Sequence, residues 1–525
     1  MSAPDRDEER PDPPLPWPLE ADATEVARLI RTGSIGAGEA LEASIARAQT
    51  LGARLNAVCT LEPAAAREAA QRIERELARA RRSASALEEL AAARPFLGVP
   101  SLVKDLGAAA LGLPSTMGSR LFGRIEWKLD SELISRMRAA GFLFFARSTS
   151  PEMGINASTE AVAYGGPTRN PWNPEHSAGG SSGGAGAAVA ARIVPIAHAS
   201  DGAGSIRIPA SCCGLVGLKP SRGLIPGGPL VGEAWGGLAT EHVVALSVRD
   251  CAGTLDCVAG SDLGAPYAAP RYRGSAEAVR SIAAGKPLER LRFAVLTHTF
   301  DGEAVHPEVA AAVEDAARRL ASLGHVVEPA APKITGEEIV RPMLTVIACG
   351  IAMVIDLHLA ARGRPLQDGE LEPTTRGALE FGRSVSGPDY MKAAARLHAL
   401  SRRVARFFEG EDATAGFDAL VLPVLAEPPA RLGRWTMTNP DFHDYRLGPQ
   451  GLIRYSPFAP LANMTGQPAI SLPLAMSASG LPIGVQLVGK FGSDARLLEV
   501  AAQLERDAPW AGRVAPLARG ARAAP

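Results

Sequence analysis

The sequence predicts an α/β protein, and three observations carry that reading. Short apolar runs bounded by proline or glycine alternate with longer stretches of helical spacing through the middle of the chain. The same rhythm returns in the C-terminal third. No linker or shift of composition divides the 525 residues, so one large domain accounts for them better than two.

Along the chain, MSAPDRDEERPDPPLPWPLE is acidic and proline-rich without an apolar h-region, and reads as a flexible tail rather than a signal peptide. Two helices are expected over 22–52, the first being ATEVARLIRTG with Gly33 as its stop. Residues 62–93, rich in Ala, Glu and Arg, read as one long exposed helix. PFLGVPSLVKDL (95–106) is strand-like at its start, SELISRMRAAGF (131–142) has helical spacing, and FLFFARS (142–148) reads as a buried strand. Further on, RFAVLTH (292–298) is a strand, PEVAAAVEDAARRLASLG (307–324) a helix and HVVEP a strand. ALVLPV (419–424), AISLPL (469–474) and IGVQLVG (483–489) are strands, and ARLLEVAAQLER (495–506) is a closing helix. Residues 336–415 show less pattern. With the loop near 435–458, carrying Trp435, Phe442, Tyr445 and Tyr455, they are the expected substrate-facing parts, although those aromatics serve packing equally well.

Bulk chemistry narrows the function. Hydrophobic residues make up 46% and charged residues 21%, with a formal net charge of -1, as in ordinary globular enzymes. No basic patch stands out, so nucleic acid is not an expected partner. The six cysteines form no C-x-x-C pair, so neither a zinc site nor a disulfide framework is expected, and buried free thiols in a reducing cytoplasm fit better. No run of about 18 apolar residues is free of charge and glycine, so no membrane span is expected.

The most unusual stretch is HSAGGSSGGAGAAVAARIVPIAHASDGAGS, from His176 to Ser205. A flexible Gly/Ser linker fits poorly, because AAVAARIVPIAHA follows at once and is apolar enough for core. A phosphate-cradling loop would need a following Lys and a preceding strand, and neither is present. Gly180, Ser182 and Gly184 satisfy G-x-S-x-G, but no strand leads into them as a nucleophile elbow requires. Ser101 and Lys104 give S-x-x-K without the S-D-N and K-T-G partners of penicillin-recognising enzymes.

The remaining reading is a serine–lysine hydrolase. AGGSSGGAGAAVAA followed by ASDGAGSIRIPASCCGLVGLKPSRG resembles the signature region of the amidase signature family. GVPSLVKD resembles that family's catalytic-lysine segment, and PTRNPWNPEHSAGGSSGG, NMTGQPAISLPL and GLPIGVQLVG also match its habits. The resemblance covers most of residues 22–506 and implies one large domain over 21–515. Its mixed central β-sheet would be covered by helices on both faces, with a signature core at about 95–262 and tails at 1–20 and 516–525. It also implies an amidase in which Ser205 is the nucleophile, Ser181 the bridging serine after a cis peptide, and Lys104 the base. Backbone amides of Gly202, Ala203, Gly204 and Ser205 would hold the oxyanion, while Ser182, Asp201 and Arg207 orient the loop. SPEMGINASTE would line the pocket through Met153, Asn156 and Ser158.

The chemistry suits those residues. A serine hydroxyl is a weak nucleophile until its proton is taken. A lysine can take it only if burial lowers its pKa from about 10.4, and the apolar LGVPSLV before Lys104 provides for that. Asp105 must then point away or be neutralised elsewhere. His198 reads as a supporting core histidine rather than the base. Cys212 and Cys213 are close enough for one to lie beneath the site. No metal or organic cofactor is implied, since every catalytic group is supplied by protein. Within the family, TRNPWN, SIRIPAS, VLTH, ALVLPV, GQPAISLPL and AAQLERDAPW most resemble the branch acting on 6-aminohexanoate amides. That implies a small neutral aliphatic amide, linear or cyclic, handled by a monomer or homodimer in the cytoplasm. Two alternatives stay open: the amidase subunit of a glutamyl-tRNA amidotransferase, and a catalytically silent scaffold on the same fold.

Overall fold

The structure is a computed structural model and describes residues 14–410 and 416–520. Among the described residues, eleven strands build two sheets. Strands β1 (Val58–Leu61), β2 (Pro100–Lys104) and β3 (Leu143–Ser148) form the smaller sheet in the order β1-β3-β2. Strands β4 (Ile196–Asp201), β5 (Val216–Lys219), β6 (Thr240–Ala245), β7 (Arg292–Val295), β8 (Val326–Pro329), β9 (Ala419–Pro423), β10 (Ala469–Met476) and β11 (Pro482–Gly489) form the larger. Its order is β4-β6-β5-β10-β11-β9-β7-β8, antiparallel from β4 to β9 and parallel from β9 through β7 to β8.

Continuous apolar runs become strands here because both sheet faces are covered. Successive side chains point to opposite faces. In β9, Ala419 and Val421 enter the main core, while Leu420 and Leu422 enter a second core. That second core lies under three helices, Gly336–Arg362, Pro373–Ser384 and Gly387–Glu409. The first of these opens on a capping box, in which Thr335 receives the Glu338 amide and the Glu338 carboxylate receives the Thr335 amide. It is long and apolar enough by composition to cross a membrane, and 44% of that stretch is buried in the protein.

β2 runs beside β4 without a backbone ladder between the two sheets. Side chains close the seam instead. Ser101 Oγ donates to Ile196 O at 3.0 Å, and the Lys104 amide donates to His198 Nδ1 at 3.2 Å. Lys104, the last residue of β2, therefore ends inside the molecule.

Several expectations are corrected. The helix expected over 62–93 is two helices, Ala64–Ala80 and Ala84–Ala93, because Ser83 caps the second. The first of the pair buries Ala66, Ala70, Ile73 and Leu77. In 95–106 the strand lies at Pro100–Lys104 rather than at the start. Of the tail expected over 1–20, residues 1–13 lie outside those described, and 14–20 pack on the body. Trp17 is 5% exposed, and Leu19 O accepts from Arg192 Nε at 2.6 Å. At the other end, Leu517 and Ala518 are buried within Pro516–Arg519, so 516–520 packs on the body, while 521–525 lies outside the described residues.

Candidate active site

The glycine–serine segment packs where a side chain would collide. Residues Ser177–Ser182 lead into the helix Gly183–Ala190, and the Gly180–Ser181 peptide is cis. A Cβ on Gly180 would sit 2.6 Å from Asn156 O, and one on Gly184 2.3 Å from the Thr149 amide. These glycines let the turn press against the backbone after β3 and carry Ser181 to the end of β2.

There Lys104 Nζ lies 2.6 Å from Ser181 Oγ and 2.9 Å from Ser200 Oγ. The lysine is fully buried. Burial pushes its pKa down to about 7, against the opposing pull of Asp201 and Glu241. A substantial fraction of the amine is therefore neutral at neutral pH. Asp105 does not touch it. Its carboxylate accepts from the Thr116 amide (2.9 Å), Thr116 Oγ1 (2.5 Å) and the Tyr164 hydroxyl (2.6 Å). Arg147, wholly buried, fixes the end of β2 by donating to the carbonyls of Lys104, Ala108 and Leu113.

Ser205 lies just past β4 and borders the pocket at 9% exposure. The Ser182 amide donates to Ser205 O at 3.3 Å, and Ser182 Oγ donates to Ser200 O at 3.2 Å. Ser182 thus ties the two serine loops together. Among the described residues, no hydrogen bond joins Ser205 Oγ to Ser181 Oγ.

Asp201 shapes the loop that carries Ser205. It receives the Gly204 amide at 2.6 Å and the Ile206 amide at 3.1 Å, and pairs with Arg207 Nε and Nη2 at 2.9 and 3.0 Å. Burial alone would raise its pKa, but Arg207 and Asn463 hold it well below the usual carboxylate range. Arg207 also reaches Ala459 O, Gln486 Oε1 and Asn463 Oδ1, so β4, β11 and the helix Pro460–Thr465 are pinned to one buried ion pair. The Gly204 amide is thereby spent on Asp201, which removes it from the oxyanion donors expected from the sequence. The amides of Gly202, Ala203 and Ser205 make no hydrogen bond among the described residues.

The pocket beside Ser205 is lined by Gly154–Ala157, Ala203, Ile208 and Trp235, by Val340, Met343, Leu344 and Ile347 of the long apolar helix, and by Arg446, Leu452, Ile453 and Ser456. Of the three residues expected from 150–160, Asn156 lines it, fixed by Tyr445 Oη (2.7 Å) and Trp435 O (2.6 Å). Met153 packs into the second core instead, and Ser158 is turned to Ser177 (2.7 Å) and Glu160 (2.6 Å). Trp435, Phe442, Tyr445 and Tyr455 are buried behind the pocket as packing. Cys212 and Cys213 are buried free thiols in the helix that follows Ser205.

Sequence reasoning missed Ser200, Glu241, Trp235 and Arg446. Ser200 stands inside the quoted ASDGAGS motif, and its alternation with His198 along β4 was the available signal. Trp235 sits in a glycine-rich loop, directly over Gly202.

Comparison with known proteins puts the chain among hydrolases of carbon–nitrogen bonds. The Amidase family model matches residues 39–498. A 6-aminohexanoate-cyclic-dimer hydrolase from Pseudomonas sp. (strain NK87) is 39% identical over 518 residues, covering 97% of this chain and 99% of that protein. A solved structure of 6-aminohexanoate cyclic dimer hydrolase complexed with substrate superposes with a TM-score of 0.83 at 37% identity, covering 96% of this chain and all of the other. A bacterial aryl acylamidase of the amidase signature enzymes gives 0.82 at 26% identity, covering 96% and 99%. The chain belongs to the amidase signature family, and is an amidase.

Proposed function

We propose that the chain hydrolyses aliphatic amides, linear or cyclic and of the 6-aminohexanoate kind, through a Ser205–Ser181–Lys104 relay and an acyl-enzyme. The carrying observation is the 2.6 Å contact between Ser181 and a buried lysine whose pKa is brought to about 7, at the edge of the pocket that holds Ser205. In this reading Ser205 Oγ attacks the carbonyl carbon, its proton passes to Ser181 Oγ, and the Ser181 proton passes to neutral Lys104. The Gly202, Ala203 and Ser205 amides hold the oxyanion, each worth about 10²–10³ in rate. Lys104 returns the proton through Ser181 to the leaving nitrogen as the carbon–nitrogen bond breaks. Water then attacks the acyl-enzyme with Lys104 again as base, releasing the acid.

The test is turnover of linear and cyclic 6-aminohexanoate oligomers and of glutamine by the parent and by S205A, with folding checked by circular dichroism. Loss of about 10⁴-fold or more in S205A is expected, in line with nucleophile deletions in serine hydrolases. Equal rates in the two proteins would remove Ser205 from the mechanism.

A further inference from the structure

The guanidinium groups of Arg207 and Arg147, both fully buried, are surrounded by acceptors. Arg207 donates to Asp201, Asn463, Gln486 and Ala459 O, and Arg147 to three backbone carbonyls. Arg446 breaks that pattern. It projects from the short helix Phe442–Leu447 into the pocket that Ser205 borders. Its Nη2 donates to Ile155 O, and its Nε is buried without an acceptor. The rings of Phe442 and Tyr445 lie 5.4 and 5.8 Å from its guanidinium carbon. Among the described residues no carboxylate pairs with it, and no other charged side chain lines the pocket. Burial lowers its pKa to about 10, so it keeps its charge at neutral pH.

A charge held in an apolar cavity without a partner is costly, and that cost falls when a ligand brings the opposite charge. The planar guanidinium fork offers adjacent N–H groups, the geometry that a carboxylate accepts in a bidentate way. Val340, Met343, Leu344 and Ile347 give the same pocket an apolar wall suited to a methylene chain.

We propose that the pocket selects amides bearing a free carboxylate at the end of a short aliphatic chain, with the carboxylate seated on Arg446 and the scissile carbonyl at Ser205. This rests on the reading of Ser205 as nucleophile. It narrows the substrate class to linear carboxylate-ended amides in preference to cyclic ones, which have no such end.

Two matched pairs test it, one for each side of the scissile bond. The first is the para-nitroanilide of adipate, with one free carboxylate, against that of hexanoate. The second is N-hexanoyl-6-aminohexanoate against N-hexanoyl-hexylamine. In at least one pair the parent should favour the carboxylate member by about tenfold or more in kcat/KM, the lower end expected for a hydrogen bond to a charged group. In R446Q the ratio should fall towards one. R446M, which keeps the bulk of the stem, is the second variant should R446Q not fold. Parent ratios near one in both pairs would overturn the proposal alone, as would a ratio that neither variant changes. Turnover of none of the four amides by the folded parent would instead overturn the amide-hydrolase reading beneath it.

Discussion

In the proposed relay, Lys104 sets the pH behaviour of the site. Its folded pKa, about 7, lies below the ordinary lysine value, so the neutral base forms as pH rises through that point. The kcat/KM profile should therefore rise with a midpoint near 7. Glu241 opposes this by stabilising the protonated amine, and its Oε2 lies 3.6 Å from Nε2 of the His198 ring that braces the Lys104 amide. In E241Q the midpoint should move to lower pH, and rates below it should rise by ~2–5-fold, since one pH unit is tenfold in the neutral fraction. A pH–rate series on both proteins decides this, and a midpoint that stays in place or rises would disconnect Glu241 from the base. At this scale Lys104, Ser181 and Ser205, the residues of the proposed relay, stood out because they sit in long, unusual motifs. Arg446 was not. In DYRLGPQG it looks like any solvated loop arginine, and only the fold reveals that, among the described residues, no carboxylate pairs with it or lines its pocket.

The helix Gly183–Ala190 shows how an element can be fixed by what it lacks. Gly184 and Gly186 are both helical and buried, yet they face different neighbours. A Cβ at Gly184 would meet the Thr149 amide at 2.3 Å and Ala57 O at 2.6 Å, backbone that cannot yield without moving β3 or the start of β1. At Gly186 the nearest atoms are Pro209 Cβ at 3.1 Å and Cys213 Sγ at 3.2 Å, which need to give by only a few tenths of an ångström. G184A should thus lose about 3 kcal/mol or more, or fail to accumulate folded, while G186A should lose about 1 kcal/mol or less. Equal denaturation midpoints for the two variants would contradict this packing. Element legibility follows the same physics. The strands Ala419–Pro423, Ala469–Met476 and Pro482–Gly489 were readable because cover on both faces makes them unbroken apolar runs. The helix Gly336–Arg362 is apolar on its core side and on its pocket side, so the period that marks an amphipathic helix is blurred and the segment looked unpatterned. The break at Arg81–Ser83 was hidden because the residues on either side of it favour helix equally.

On the scale of the whole molecule, the site belongs to no single layer. Lys104 comes from the small sheet, Ser205 from the edge of the large one, and the pocket wall from the helices over the second core. The large sheet couples these parts, because alternate residues of its strands enter different cores. Peeling off the helical layer would strip Leu420, Leu422 and Val488 of their partners while Val421 and Leu487 stayed packed. Each side chain uncovered in that way costs roughly 1.5–3 kcal/mol. The layers should therefore melt together despite the chain's size. Tryptophans report on separate regions, with Trp17 and Trp510 buried in the main core and Trp235 at the pocket. In urea, the loss of amidase activity and the fluorescence change should superpose. L422A, which empties a second-core position, should shift both curves together by the equivalent of about 2–5 kcal/mol. Activity lost at clearly lower urea than the fluorescence change would mean that the helical layer opens by itself, and that the pocket wall is a separable lid rather than part of one cooperative core.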